Sequence, residues 1–151
     1  MNQATSQKTP SMDEFKSILK RHKMKATRQR LAVHEVMMDL GHASADMVCE
    51  ELEAKGTAKV TVASVYNILS QLADIKVYSR RMSSNNKMYF DVVTADHIHL
   101  YDMVNHTFTD VSDDGACMEA TKALLSKRFK GYKLDRIDIQ ILAHPRTRKR
   151  K

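Results

Sequence analysis

Cysteine is almost missing from this chain. Only Cys49 and Cys117 occur in 151 residues, 68 positions apart, and neither belongs to a CxxC pair. That count excludes a disulfide framework and a zinc site built from four thiolates. A reduced pair is expected. No run of about 18 apolar residues exists, so no membrane-spanning helix is expected. The opening MNQATSQKTP lacks the apolar core of a secretory leader, and a cytoplasmic location follows as the expectation. An HExxH metalloprotease signature and a nucleophile motif are also missing. A mononuclear metal hydrolase or oxygenase is therefore the weakest of the functional readings, and no small-molecule substrate is expected.

Apolar material is not lacking. Hydrophobic residues make up 42% and charged residues 28%, enough for a packed core and against global disorder. Charge is unevenly spread. Residues 1–90 carry 14 basic and 9 acidic groups, net +5, and residues 91–143 carry 6 and 9, net −3. The tail HPRTRKRK adds five positive charges and no negative ones. A basic first half is compatible with a polyanion such as DNA and equally with ordinary solubilising surface.

The hydrophobic period places the elements. Residues 1–11 read as a polar arm. Phe15, Ile18 and Leu19 mark a helix over Met12–His22. Thr27 caps a second helix, Arg28–Leu40, which Gly41 stops. Ser44 caps a third, Ala45–Lys55, ended by Gly56. Thr61 opens a fourth, to about Ala73, with Val65, Leu69 and Leu72 as its seam. Two β-type runs, Lys76–Met82 and Lys87–Val93, flank the turn Ser83–Asn86. Helices followed by a hairpin have the order of a winged helix-turn-helix. In that motif the second helix of the pair enters the major groove, and Arg80, Arg81 and Lys87 on the hairpin lie against phosphates.

Past residue 93 the pattern changes. Ile98–Val104 and Thr107–Val111 read as strands. Gly115–Lys130 reads as a helix with Ala116, Ala120, Ala123 and Leu124 inward, and Lys133–Leu142 as a strand with Leu134, Ile137, Ile139 and Ile141 on one face. Such a unit of about 50 residues buries little surface alone, so a homodimer is expected. The fold class is α+β: an arm over 1–11, a winged-helix DNA-binding domain over 12–92, a small α/β dimerisation domain over 93–143 and a basic tail over 144–151.

The chemistry concentrates in YFDVVTADHIHLYDMVNHTFTD. In a strand, alternation puts both imidazoles of His97-Ile98-His99 on one face, about 7 Å apart at the backbone. Asp91 precedes them at the end of the wing. Asp110 follows on the neighbouring strand if a hairpin forms near Asn105-His106, and His42 sits in the link before the third helix. Three imidazoles and two carboxylates suit Fe(II), Mn(II), Co(II) or Zn(II). Singly, each signal is also what surface histidines and strand-end aspartates look like. Of the other residues, His22 and His34 read as surface helix positions and His106 as a turn histidine without a ligand role. Cys49 reads as a small buried hydrophobe. Met37, Met38, Met47, Met88, Met103 and Met118 read as core filler.

The stretches MKATRQRLAV, GHASADMVCEEL, VTVASVYNILSQL, MYFDVVTADHIH and GYKLDRIDIQI, in this order, resemble the ferric uptake regulator family of bacterial metal-dependent repressors. The resemblance runs from about Lys23 to Ile141 and looks closest to the peroxide-responsive branch. It implies a regulatory site on His42, Asp91, His97, His99 and Asp110. That site would take one divalent transition-metal ion per subunit, Fe2+ or Mn2+ in the cell, with Zn2+ an alternative occupant. Aspartate at Asp110 goes, in family terms, with iron-mediated oxidation of neighbouring histidines, here His42 and His97.

The resemblance also implies contacts to double-stranded DNA, an A·T-rich palindrome, from Lys25, Arg28, Ser64, Tyr66, Asn67, Arg80 and Arg81. Lys25 would take the minor-groove position and Tyr66 the groove-facing position of the recognition helix. The chain departs from the family pattern where a structural zinc is commonly held. The first CxxC position falls on Asp102 and Asn105, and the second is missing. A further family site would fall on Asp96, Ile98, Cys117 and Ile137, and is expected to be missing too. Metal-independent DNA binding is the rival expectation.

Overall fold

The computed structural model describes residues 9–111 and 115–146. The chain divides into two compact units, one up to Thr94 and one from Ala95. The first unit is a winged helix-turn-helix and the second a small α/β unit.

In the first unit, short polar side chains set the helix starts. Helix α1 (Met12–Arg21) begins in a capping box. Glu14 N–H donates to Ser11 Oγ, and Ser11 N–H donates to Glu14 Oε2 at 2.7 Å. Thr27, Ser44 and Thr61 cap α2 (Arg28–Leu40), α3 (Ala45–Lys55) and α4 (Val62–Asp74) by accepting from the third backbone N–H beyond them. Gly56 ends α3 at φ 64°, a left-handed position open to glycine without strain. The apolar stripes of these helices meet in one core. Phe15 and Leu19, Val33, Val36 and Met37, Val48 and Leu52, and Val65, Leu69 and Leu72 are all buried in it.

The wing is a three-stranded antiparallel sheet in the order β1-β3-β2, with β1 His42–Ser44, β2 Ser79–Met82 and β3 Met88–Asp91. The hairpin strands are shorter than the sequence suggested. The link before α3, expected to be irregular, supplies a third strand that sets His42 opposite Asp91. Phe90 and Ala43 face the helical core, whereas Tyr89, Asp91 and Arg81 lie on the other face of the sheet.

In the second unit β4 (Ile98–Asp102) is central. It pairs antiparallel with β5 (Thr107–Asp110) and parallel with β6 (Ile139–Ala143). Helix α5 (Ala116–Arg128) lies between β5 and β6 in sequence. The positions where the family's first thiolate pair would fall do structural work of another kind. Asp102 Oδ1 accepts from the backbone N–H groups of Val104 and Asn105, and Oδ2 from the Asn105 amide at 2.7 Å. These bonds close the β4–β5 turn and hold the Asp102 carboxyl below its usual range.

Several expectations are corrected. Ala116, Ala120, Ala123 and Leu124 do not point inward in the chain. Leu124 is 64% exposed, and the side of α5 that is covered runs through Met118, Thr121, Lys122 and Leu125. A strand over Lys133–Leu142 forms only from Ile139, and Ile141 is exposed. Met38 and Met103 are exposed, whereas Met37 and Met118 are core. Of the arm, residues 1–8 lie outside the described residues, but Pro10 and Ser11 are fixed by bonds to His34 and Glu14. Most of the basic tail, 147–151, also lies outside them.

His34 is not on the surface but fully buried, stacked 3.9 Å from the ring of Phe15. Its Nε2 lies 3.0 Å from the Pro10 carbonyl and its Nδ1 2.7 Å from the Tyr78 hydroxyl. A carbonyl only accepts, so Nε2 carries the proton and Nδ1 accepts from Tyr78. Burial pushes the ring below its ordinary pKa of 6.5, against a smaller opposing effect of the Pro10 bond, and pushes the Tyr78 phenol up. The unfolded chain therefore takes up a proton at a higher pH than the native ring does. This contribution to stability is complete above about pH 6.5 and is lost as pH falls through 6.5 toward the native value. Urea unfolding of the parent is expected to weaken more between pH 6.5 and 5 than that of His34→Leu. Equal slopes would contradict this reading.

Candidate metal centre and nucleic-acid surface

In the first unit the register between β1 and β3 brings an imidazole to a carboxylate. His42 Nε2 lies 3.2 Å from Asp91 Oδ2. Asp91 is aimed by its own backbone, because Val93 N–H donates to Oδ1 at 2.8 Å. That leaves Oδ2 as the oxygen facing His42. Arg81 faces the same oxygen, with Nη2 3.5 Å away. The Arg81 side chain is 2% exposed and that of Asp91 1%. The expectation of Arg81 against DNA phosphates is corrected accordingly: the side chain lies inside, paired with Asp91. The signal was present in the sequence. Strand alternation over Ser79-Arg80-Arg81-Met82 puts the two arginines on opposite faces, so only one of them can meet a phosphate.

In the second unit the β4–β5 register sets His99 directly opposite Asp110. His97, just before β4, brings its ring to 4.0 Å from that of His99, as the H-x-H alternation requires. Both Nε2 atoms converge on one oxygen, Asp110 Oδ1, at 3.1 Å from His97 and 3.2 Å from His99. His97 Nδ1 lies 2.7 Å from the Ala95 carbonyl and so carries the ring proton, which leaves Nε2 as the lone-pair nitrogen of the neutral ring. A lone pair facing a carboxylate oxygen at this distance is repulsive until a proton or a cation lies between them. His99 is fully buried and set edge-on against Phe108. This all-N/O donor set fits a divalent transition metal and offers no thiolate.

Asp96 heads the second family site in sequence but serves elsewhere. Its carboxylate meets Lys122 Nζ at 2.5 Å and Arg136 Nε at 3.7 Å, while Ile98 is buried and Cys117 exposed. His106 sits in the β4–β5 turn, with Nδ1 3.0 Å from the Tyr101 hydroxyl.

The exposed side of α4 carries Tyr66, 42% exposed and held edge-on by the buried ring of Phe90, and next to it the exposed Asn67. Ser64 is half-buried and tied to the cap, its oxygen accepting from the Thr61 hydroxyl at 3.1 Å. Lys25 and Arg28 are exposed. Arg80 is exposed and paired with Asp74 at 2.9 Å. Sequence reasoning missed Arg30, which spans the surface. Its Nη1 donates to the Lys25 carbonyl at 2.8 Å and its Nη2 to Gln71 Oε1 at 2.9 Å, tying the connector before α2 to α4.

A winged helix followed by a small α/β unit with histidines and carboxylates on its strands defines a class of DNA-binding regulator. The chain belongs to the Ferric uptake regulator family of metal-dependent transcriptional repressors, whose family model matches residues 21–141. Among solved structures, the ferric uptake regulator of Vibrio cholerae is 22% identical, covers 87% of this chain and 99% of its own, and gives a TM-score of 0.74. That of Helicobacter pylori, described as having three functional metal-binding sites, is 20% identical over 96% of this chain and 95% of its own, TM-score 0.71. The Campylobacter jejuni peroxide stress regulator is 23% identical over 87% and 96%, TM-score 0.65. At these identities the likeness establishes the fold. A comparison with curated proteins returned no match.

Replacing Arg30 by alanine is expected to cost about 1 kcal/mol in urea unfolding, the usual net worth of such bonds. In the Arg30→Ala background, Gln71→Ala should cost less than it does alone. Strictly additive costs would show that the strut does not couple the two elements.

Proposed function

We propose that the chain is a homodimeric, metal-dependent repressor of iron-uptake or peroxide-stress genes, acting in the cytoplasm on an A·T-rich palindromic operator. His42, Asp91, His97, His99 and Asp110 hold one divalent ion per subunit, Fe2+ or Mn2+ in the cell, with Zn2+ also accepted. The observation that carries this reading is the convergence of His97 Nε2 and His99 Nε2 on Asp110 Oδ1 at 3.1 and 3.2 Å, nitrogen and oxygen donors of the kind a divalent metal takes. Bound there, a divalent ion supplies the charge that these donors lack. Only a metal that binds one conformation of the chain better than another can shift the population toward DNA binding. Aspartate at Asp110 supports a peroxide-sensitive iron site, in which His42 and His97 are the side chains oxidised.

Tyr66 and Asn67 read the major groove, Tyr66 against thymine methyls and Asn67 at adenine edges. Ser64 meets the backbone beside them. Lys25 enters the minor groove, and Arg28 and Arg80 neutralise phosphates, giving affinity without sequence choice. The homodimer is supported by the apolar residues left exposed in the second unit, among them Leu124, Tyr132 and Leu142. Residues 93–143 form the dimerisation domain in this reading, and residues 12–92 the DNA-binding domain.

Fluorescence anisotropy with an A·T-rich palindromic duplex tests this function. Affinity is expected to rise about tenfold or more from EDTA to Mn2+, Zn2+ or anaerobic Fe2+, in line with usual allosteric coupling. His97→Ala should keep the EDTA-level affinity and lose the metal response. Chelator-insensitive binding, or a His97→Ala variant that responds like the parent, would contradict it. Arg80→Ala should lower the salt slope by about 1 without altering sequence preference.

A further inference from the structure

Arg81 lies beside the candidate site and has no part in the proposed function. It is a cation sealed on the wing sheet, and a buried charge is tolerated only when it is paired. One partner is Asp91 Oδ2, the same oxygen that faces His42 Nε2 at 3.2 Å. The other carboxylate oxygen accepts from Val93 N–H at 2.8 Å, which fixes the orientation of the carboxylate and turns Oδ2 toward both His42 and Arg81. A metal held at His42 and Asp91 would therefore sit in the field of the guanidinium. At 3.5 Å Arg81 Nη2 is in ion-pair range of Asp91 Oδ2.

We propose that Arg81 is a resident counterion that competes with the divalent metal for Asp91 Oδ2 and so sets how readily the metal leaves. This rests on Asp91 being a metal ligand, as proposed above. With the metal away, Arg81 keeps the buried carboxylate compensated, and the β2–β3 pairing remains intact. With the metal present, its fixed positive charge opposes the incoming dication and weakens binding. A regulator must release its ion as well as take it up, and a built-in competitor holds the affinity in a reversible range. Arg81 acts through Asp91 and is a positioning residue.

The test is a titration of metal-free protein with Mn2+ and Zn2+ against a chromogenic chelator, together with thermal unfolding with and without metal. It compares the parent with Arg81→Gln, Arg81→Lys and Asp91→Asn. Arg81→Gln removes the charge and keeps a hydrogen-bonding group. Its metal affinity is expected to rise about tenfold or more, while its metal-free form melts at a lower temperature and gains more from metal than the parent does. Arg81→Lys, which keeps the charge, should stay near the parent in affinity. An Arg81→Gln variant folded only with metal would also support the proposal, because the cation then replaces the guanidinium. Unchanged or weaker affinity in Arg81→Gln, or failure to fold even with metal, would overturn it. Asp91→Asn separates the two ideas. If it binds metal like the parent, the ligand assignment itself fails. If it loses metal while Arg81→Gln is unchanged, only the counterion role falls.

Discussion

A carboxylate sealed from solvent at the end of a short strand is the constraint on which the rest depends. Asp91 has almost no contact with water, so its charge has to be met from within the protein. Among the groups that meet it are Val93 N–H on one oxygen, and His42 and Arg81 on the other. Each is delivered by backbone pairing. His42 reaches Asp91 because three residues after Gly41 join β3 as a strand, and Arg81 because β2 runs antiparallel on the other side. The wing is therefore both a part of the DNA-binding unit and the scaffold of a polar site. Phe90, one residue before Asp91, faces the opposite way and supports the ring of Tyr66. Adjacent residues of one strand thus serve the candidate metal site and the recognition helix.

The second unit solves a different problem. Two cysteines in the whole chain cannot make a four-thiolate zinc site, so its hairpin is stabilised by other means. Asp102 and Asn105 close the turn with hydrogen bonds, and Asp96 draws Lys122 of α5 and Arg136 of the segment before β6 to the start of β4. These are exposed or half-exposed interactions of modest worth. The buried apolar set is correspondingly small, chiefly Ile98, Tyr101, Phe108 and Met118. In this setting His99 and Asp110 are held by strand register rather than by a large core.

Much of the first unit was legible in the sequence because its signals are local. Ser11, Thr27, Ser44 and Thr61 are caps that act within three residues, and the seam of α4 repeats at helical spacing. The H-x-H pair was legible for the same reason, since strand period alone puts His97 and His99 on one face. What stayed hidden depends on contacts distant in sequence. His34 looks like any polar helix residue until Tyr78, 44 positions away, supplies the hydroxyl that lets it be buried. Strand β1 is too short to carry a period and exists only because β3 is beside it. On α5, alanines at helical spacing suggested one inward face, but the larger Met118 and Leu125 define the covered side. Arg81 was read by its charge rather than by its alternation with Arg80.

The central claim is the proposed ligand set of His42, Asp91, His97, His99 and Asp110. Metal stoichiometry combined with X-ray absorption at the metal edge tests it most directly, on parent, His42→Ala and His99→Ala. The account predicts one ion per subunit in an all nitrogen-and-oxygen shell without sulfur, and loss of tight binding when a donor is removed from either unit. Sulfur in the shell, or full occupancy in either variant with an unchanged spectrum, would contradict it.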